Sequence, residues 1–210
     1  MSQRSRTQTW IDRLRSRSSA ALAQPPTQSP SSGDATIEVS GTFLLDLLFG
    51  LGPYRALMLN SMVRYEIGRV NPDAWYERNR LVAALSDMGT KIGPHILFWI
   101  GKKTATEIFQ RAETVAETPH DALVILDRRY RLAHRLNPSD GQASEAVGQW
   151  AFDRLEVGRG QVAIETPYPQ QWVFGLLSGA VRDADPLVQI QAVPPASSPT
   201  EYRFELRWNL

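Results

Sequence analysis

The stretch ETPYPQQWVFGLLSG, residues 165–179, decides how the second half of the chain is organised. Pro167 ends a strand, because its nitrogen has no hydrogen to donate to a neighbouring strand. Pro169 opens a helix, since its φ angle is already fixed near the helical value. Tyr168 is therefore held at a stiff corner between a strand and a helix. Trp172 follows four residues later, so both rings could face the same way from the opening turns.

The sequence leaves two roles open for Tyr168 and Trp172. Rigidly held aromatic side chains suit the wall of a ligand pocket, because little conformational freedom is lost when a ligand binds. Large aromatic side chains suit an ordinary core equally well.

Strand patterns flank this helix on both sides. Before it, two strands are predicted around a glycine turn at Gly158-Arg159-Gly160. After it, PLVQIQAV and EYRFELRWNL both alternate between two faces, and the second has one apolar and one charged face. The C-terminal part is therefore a small antiparallel sheet that contains one helix.

The first half of the chain has helical punctuation instead. Ser40 can cap the segment GTFLLDLLFG, and the sequence Gly-Leu-Gly-Pro at 50–53 ends it. A second helix is expected from Pro53 and a third after the turn at 71–73. Pro94 either starts a fourth helix or kinks the third. These helices followed by the small sheet predict an α+β fold.

A fifth helix has the clearest start. Thr118 caps it, Pro119 takes its first position, and Asp121 suits the positive helix end. Its apolar stripe consists of Leu123, Leu126, Tyr130 and Ala133.

Charge and composition divide the chain into two parts. Residues 1–33 hold five arginines and one acidic residue, a net charge of +4, and the rest holds 18 basic and 21 acidic residues, a net charge of −3. The segment 24–36 has the proline- and serine-rich composition of a linker. We therefore expect residues 1–34 to be a basic, disordered arm and linker, although a short amphipathic helix around Trp10 is an alternative, and 35–210 to be the folded domain. The five arginines that would meet an anionic surface or nucleic acid are Arg4, Arg6, Arg13, Arg15 and Arg17.

Several functional classes are disfavoured. The chain has no cysteine, which excludes disulfides, thiolate nucleophiles and cysteine-ligated metal clusters. It has no nucleophile elbow, phosphate-binding loop or His-Glu-x-x-His motif, so we do not expect the protein to be an enzyme. It has neither an apolar run of about 18 residues nor the pattern of a signal peptide, which favours a cytoplasmic, bacterial-type setting.

Three features follow one another along the chain. They are the segment NPDAWYERNRLVAALSDMGTKIGPHILFWIGKK, the helix DALVILDRRYRLAH before a strand pair, and TPYPQQWVFGLLSGAV closed by YRFELRW. In this order they resemble the vinyl-reductase-like (4-vinyl reductase) sensor domains, which are relatives of haem-NO-binding domains and of TRAPP vesicle-tethering subunits. The resemblance covers residues 35–210. It rests on the order and spacing of these features and implies an α+β sensor domain.

The resemblance also carries functional expectations. Members of this superfamily are usually non-catalytic, bind small hydrophobic or planar ligands, and often form dimers. Relatives often have metal-binding cysteines near the Pro-Tyr-Pro corner, where this chain has Gln170 and Gln171, so no metal site is expected. Haem-NO relatives use a histidine on a helix. This makes His95 the candidate here, because His120 falls in a first turn and His134 on a basic helix face.

The resulting hypothesis is a ligand-sensing or interaction module that dimerises through its N-terminal helices. Its ligand-binding candidates are Tyr168, Trp172, Trp75, Tyr76 and His95, whereas Trp99 and Trp208 are assigned to the core. The cofactor is left unassigned. The alternative is an assembly or scaffold subunit without a small ligand, with the basic arm contacting an anionic membrane surface or nucleic acid.

Overall fold

The computed structural model describes residues 36–112, 115–137, 147–194 and 200–208. Its helices are α1 (Gly41–Gly50), α2 (Arg55–Arg64), α3 (Arg78–Ile92), α4 (Pro94–Ala112), α5 (Pro119–Ala133) and α6 (Gln170–Ala184), with a 3-10 turn at Gly52–Tyr54. Its strands are β1 (Thr36–Ser40), β2 (Trp75–Glu77), β3 (His134–Asn137), β4 (Gln149–Glu156), β5 (Arg159–Glu165), β6 (Gln189–Val193) and β7 (Glu201–Arg207).

The strands form two antiparallel sheets. The four-stranded sheet has the order β4-β5-β7-β6, with Val162 opposite Phe204 at its centre. The three-stranded sheet has the order β2-β1-β3, with Val39 opposite both Tyr76 and His134. Helices packed against antiparallel sheets confirm the α+β prediction.

The three-stranded sheet was not foreseen. β1 begins at Thr36, inside the segment assigned to the linker, and Trp75 lies in a strand rather than in the first turn of a helix. Strands of three to five residues are too short to show a hydrophobic period, and their pairing partners are distant in sequence. The boundary predicted at residue 35 stays a prediction, because residues 1–35 lie outside the described part.

The predicted helix starts are confirmed where a side chain caps the backbone. Ser40 Oγ accepts a hydrogen bond of 3.3 Å from the Phe43 amide. Thr118 Oγ1 accepts from the Asp121 amide at 3.1 Å, and the Asp121 carboxylate accepts from the Thr118 amide at 3.0 Å. This reciprocal pair satisfies two amides that a helix start leaves free. The apolar stripe predicted for α5 is buried.

Helices α4 and α6 pack backbone to backbone. A Cβ atom on Gly101 of α4 would overlap the carbonyl oxygen of Trp172, and one on Gly175 of α6 would overlap the carbonyl oxygen of Phe98. Only glycine permits this separation. The contact fixes which face of α4 is buried and which faces solvent.

The apolar helix α1 is buried over most of its length. Leu44, Leu47 and Leu48 are at most 3% exposed, whereas Phe49 is 52% exposed. No single helix in the described ranges is long and apolar enough to cross a membrane. The segments Gly41–Gly50 and Gly52–Arg64 pass the length and composition test only as a pair, with a bend of 118°.

Candidate functional site

Tyr168 and Trp172 lie in the protein interior, with 0% and 1% of their surfaces exposed. Their ring centroids are 5.1 Å apart. Phe43 meets Trp172 edge-on at 6.1 Å, and Tyr130 meets Tyr168 edge-on at 6.3 Å. These distances and tilts are those of aromatic rings packed in a core. A ligand would reach either ring only by displacing part of the cluster, so their role in ligand binding stays a prediction.

His134 belongs to this cluster and is only 5% exposed. Its Nδ1 lies 2.7 Å from the carbonyl oxygen of Tyr130, and its Nε2 lies 2.8 Å from the hydroxyl of Tyr168. A carbonyl oxygen can only accept, so Nδ1 carries the proton and Nε2 accepts from Tyr168. Burial lowers the pKa of His134 to about 4, although the bond to the Tyr130 carbonyl opposes the shift. The histidine is therefore neutral near pH 7.

The assignment of His134 to a basic helix face was wrong. Helix α5 ends at Ala133, and His134 is the first residue of β3. The change from helix to strand turns its ring into the interior, which a continued helical period cannot anticipate.

Further hydrogen bonds brace the corner. The Tyr130 hydroxyl lies 3.0 Å from Thr166 Oγ1 and donates to the carbonyl oxygen of Val147 at 3.2 Å. The Tyr202 hydroxyl donates to the carbonyl oxygen of Tyr168 at 3.0 Å. The corner between β5 and α6 is thus tied to α5 and β7 as well as stiffened by its prolines. This arrangement supports the stiff-corner interpretation of Pro167-Tyr168-Pro169.

The other predicted ligand-binding residues lie apart from this cluster. Trp75 is half-buried in β2 beneath the guanidinium of Arg135, whose Cζ is 4.3 Å from the ring centroid. The Tyr76 hydroxyl accepts from the Asn71 amide at 2.7 Å and donates to the Arg69 carbonyl at 3.2 Å, which organises the preceding loop. His95 is exposed at the start of α4. The five candidates therefore occupy three separate places, and their ligand-binding role is still a prediction. The five arm arginines lie outside the described residues.

Trp75 lines a cavity of about 300 Å³ that also contains a buried carboxylate. Asp46 is 6% exposed, and its Oδ1 lies 2.8 Å from Arg111 Nε. Asp46 Oδ1 has no hydrogen-bond partner, so its contact with Arg111 is an ion pair without a hydrogen bond. Burial raises the pKa of Asp46, while Arg111 opposes the rise. The pair is a structural ion pair at the edge of the cavity.

A larger, apolar groove lies between the end of α1 and the first half of α4. Its volume is about 460 Å³. Phe49 and Trp99 are its exposed aromatic side chains, at 52% and 53% exposure. The lining residues are Phe49, Gly50, Leu51, Gly52, Pro53, Tyr54, Ile96, Trp99, Ile100 and Lys103. We refer to this set as the apolar groove.

The assignment of Trp99 to the core was wrong. The glycine contact between α4 and α6 buries the face of α4 that carries Gly101, which leaves Trp99 on the outer side. The sequence offered one signal for the groove, which is the break at 50–53. A break of glycines and proline leaves few side chains over a neighbouring helix, and an aromatic residue beside it becomes a wall of the resulting cleft.

Of the comparisons with known proteins, only the one with solved structures gives matches, and these show the fold alone. No family model matches the chain, and the search of curated proteins gave no match. Among solved structures, an oxygen-binding H-NOX domain related to soluble guanylate cyclases, in its oxygen complex, matches 80% of this chain and 93% of its own, with 11% identity and a TM-score of 0.58. A mutant T. tengcongensis H-NOX matches 80% and 95%, with 11% identity and a TM-score of 0.60. The Fe(II) unliganded H-NOX protein from K. algicida matches 81% and 97%, with 10% identity and a TM-score of 0.58.

This chain therefore shares the fold of H-NOX domains, which fits the haem-NO-binding part of the resemblance. The likeness to vinyl-reductase-like and TRAPP proteins rests on the sequence features alone. At 10–11% identity the fold says nothing about which ligand this chain binds.

The described residues do not fit a haem in the interior. A haem iron needs an axial side chain, most often an imidazole nitrogen. Both ring nitrogens of His134 are already hydrogen-bonded, and Tyr130, Tyr168 and Phe43 surround its ring within 4.2 to 5.7 Å of its centroid. His95 and His120 are exposed. Within the described ranges, no cluster of three histidine, aspartate or glutamate side chains is placed to hold a metal ion either.

Proposed function

We propose that this domain is a non-catalytic, ligand-sensing module that takes a small hydrophobic or planar ligand in the apolar groove. The observation that carries the proposal is the pair of half-exposed rings, Phe49 and Trp99, in one groove of about 460 Å³. Exposed aromatic side chains in a concave apolar site are the usual walls of a small-molecule pocket. The H-NOX fold supports a sensor role, since one structural neighbour is described as an oxygen-binding domain.

The composition of its lining determines what the groove would accept. Its lining is mainly aromatic and aliphatic, which favours an apolar body, and Trp99 and Phe49 offer flat faces for a ring to stack on. Burying about 100 Å² of apolar surface stabilises a complex by about 2.5 kcal/mol. An aromatic ligand of one or two rings therefore suits the site better than a sugar or a free ion.

Fluorescence of N-phenyl-1-naphthylamine, a neutral two-ring probe that brightens in apolar sites, tests the proposal. The chain should bind this probe, and Trp99→Ala and Phe49→Ala should each weaken binding about tenfold, which corresponds to 1.4 kcal/mol. Leu187→Ala is the matched control, because Leu187 is 68% exposed and lies outside the groove. Binding that is equal in all four proteins would reject the groove as the site.

Native mass spectrometry of the purified full chain tests the same proposal without a chosen probe. A bound mass that is lost in Trp99→Ala would support it. A ligand-binding role for the five residues predicted from the sequence is still a proposal. If the bound mass is lost in Tyr168→Ala or Trp172→Ala but kept in Trp99→Ala, the ligand binds in the interior cluster instead of the groove.

The alternative function is an assembly or scaffold subunit without a small ligand. Dimerisation, which the ligand-sensing proposal also includes, is favoured by the outer face of α2, where Leu59 and Val63 follow Arg55 at four-residue steps and are 37% and 67% exposed. Light scattering at high protein concentration should give a dimer mass, and Val63→Asp should lower it towards the monomer. A monomer mass in the unmodified chain would reject dimerisation and leave the ligand proposal intact.

The basic arm forms a separate proposal. Five arginines and one acidic residue in 1–33 would bind an anionic membrane surface or nucleic acid weakly, with affinity falling as salt increases. Binding to anionic vesicles and to duplex DNA should disappear when residues 1–33 are deleted. If the deletion changes neither interaction, the arm does not bind anions.

A further inference from the structure

Four cationic side chains surround the two exposed rings of the apolar groove. Arg55 Cζ lies 5.6 Å and Arg111 Cζ 5.8 Å from the centroid of Phe49. Lys102 Nζ lies 5.1 Å from the centroid of Trp99, and Lys103 lines the groove directly. One cation, Lys103, therefore lines the apolar groove, and the other three lie against its two exposed rings.

Only one of these four cations has an ion-pair partner among the described carboxylates. Arg111 is paired with Asp46 at 2.8 Å, whereas Arg55, Lys102 and Lys103 form no ion pair with a described carboxylate. The lining of the groove contains no aspartate or glutamate. A second carboxylate, Glu107 of α4, lies near Asp46 and adds to the rise in the pKa of Asp46 that burial mainly causes.

From this we infer that the ligand of the apolar groove is an amphipathic acid: a small apolar, preferably aromatic, body that carries one carboxylate or sulfonate group. The inference rests on the proposed function, because it names the chemistry of the ligand in the same groove. The apolar body contacts Phe49, Ile96 and Trp99, and the acidic group lies towards Lys103 and its cationic neighbours. A cation beside an apolar wall attracts an anion more strongly than it would in open water, because the wall excludes solvent.

Two matched probes separate this inference from the proposed function. N-phenyl-1-naphthylamine is neutral, and 8-anilinonaphthalene-1-sulfonate has the same ring system with an added sulfonate. At low salt the anionic probe should bind the full chain at least about fivefold more tightly than the neutral probe. A factor of about five is the largest effect expected from one exposed ion pair. At 1 M salt, where the screening length is about 3 Å, this advantage should disappear while binding of the neutral probe persists.

Methionine substitutions locate the charge effect. Lys103→Met, Lys102→Met and Arg55→Met keep an apolar stem, and each should weaken binding of the anionic probe two- to fivefold, roughly the effect of one exposed ion pair, while leaving the neutral probe unchanged. Arg128→Met is the control, since Arg128 is an exposed arginine on α5 outside the groove.

The outcomes are distinct. If the two probes bind equally and the methionine variants affect neither, the inference is wrong and the proposed function stands. If neither probe binds, the proposed function fails together with the inference. If Arg128→Met weakens the anionic probe as much as Lys103→Met, the charge effect is a general property of the surface and the inference is wrong. To separate a soluble acid from a lipid headgroup, naphthalene-2-carboxylate should displace the anionic probe, whereas vesicles with anionic headgroups should not.

Discussion

The hydroxyl of Tyr168 donates a hydrogen bond of 2.8 Å to Nε2 of His134, and both side chains are buried. His134 is the first residue of β3 in the three-stranded sheet. Tyr168 stands between β5 of the four-stranded sheet and helix α6. This one bond therefore joins the two sheets through the interior.

Removing the Tyr168 hydroxyl should destabilise the protein. In Tyr168→Phe, Nε2 of His134 becomes a buried acceptor without a donor, which costs about 1–3 kcal/mol. Urea denaturation of the full chain at pH 7.5 measures the loss. Tyr202→Phe is the control: it removes a bond of 3.0 Å to the Tyr168 carbonyl in a part-buried place, and should cost about 1 kcal/mol or less. Equal stability of Tyr168→Phe and the unmodified chain would contradict the interior bond.

Stability should fall as the pH decreases below 6.5. The folded-state pKa of His134, lowered to about 4 by burial, lies below its ordinary value of 6.5. Between these values the unfolded chain binds a proton that the folded chain does not, so His134 contributes stability above pH 6.5 that is lost towards pH 4. The loss is about 3 kcal/mol, from 1.36 kcal/mol for each pH unit.

Comparison with His134→Gln isolates this effect from the carboxylates, since glutamine does not titrate. The unfolding free energy of the unmodified chain should fall by about 3 kcal/mol more than that of His134→Gln between pH 7.5 and pH 4. His120→Gln changes an exposed histidine and should follow the unmodified chain. If the curves of the unmodified chain and His134→Gln are parallel, the pKa of His134 is the same in the folded and unfolded states, and the prediction is wrong.

Trp172→Ala distinguishes the core role from the pocket role of the corner residues. A side chain that is 1% exposed leaves a large cavity when it is truncated, and the expected cost is about 3–5 kcal/mol. Trp99→Ala, at a half-exposed site, should cost much less. A small fall in melting temperature for Trp172→Ala, together with loss of a copurified ligand, would instead favour an interior pocket.

Gly175→Ala should prevent normal packing of α4 against α6. The added methyl group would overlap the backbone carbonyl of Phe98, and the helices would have to separate. We expect a cost of at least about 3 kcal/mol, the upper end for overpacked cores. Gly68→Ala, where no atom lies within 4 Å of the new methyl group, should melt close to the unmodified chain. A normal melting temperature for Gly175→Ala would refute the close approach.

Limited proteolysis tests the domain boundary predicted at residue 35. Limited proteolysis of the full chain should cut first between residues 20 and 36, because the proline- and serine-rich composition there cannot bury enough apolar surface. Early cuts between residues 40 and 135 would reject a folded unit that begins at residue 35.

Sequence patterns located the elements whose signals are local. The capping residues Ser40 and Thr118 act over three or four positions, and the alternation in β7 is carried by its own residues. Pro167 and Pro169 likewise restrict their own backbone. These parts of the fold could be predicted because a few neighbouring residues determine them.

The candidate site depends on contacts between residues that are distant in the sequence, and sequence patterns did not predict these contacts. Trp99 is exposed because glycines on α4 and α6 meet, and His134 is buried because a helix changes to a strand at that residue. The two cations at Phe49, Arg55 of α2 and Arg111 of α4, are 56 positions apart in the sequence. Such relationships have no period in the sequence.

The glycine contact also determines how a signal could leave the apolar groove. Because Gly101 and Gly175 bring α4 and α6 into backbone contact, a shift of α4 towards α6 meets backbone atoms rather than flexible side chains. Under the proposed function, a ligand that displaced α4 at Trp99 would therefore press on α6, whose residue Trp172 lies beside the strand-to-helix corner. In that case the groove residues would set the ligand preference, and the glycine contact would couple the groove to the corner. An engineer could randomise groove residues that lie outside α4, such as Phe49 and Tyr54, to detect a new acid while leaving the glycine contact unchanged.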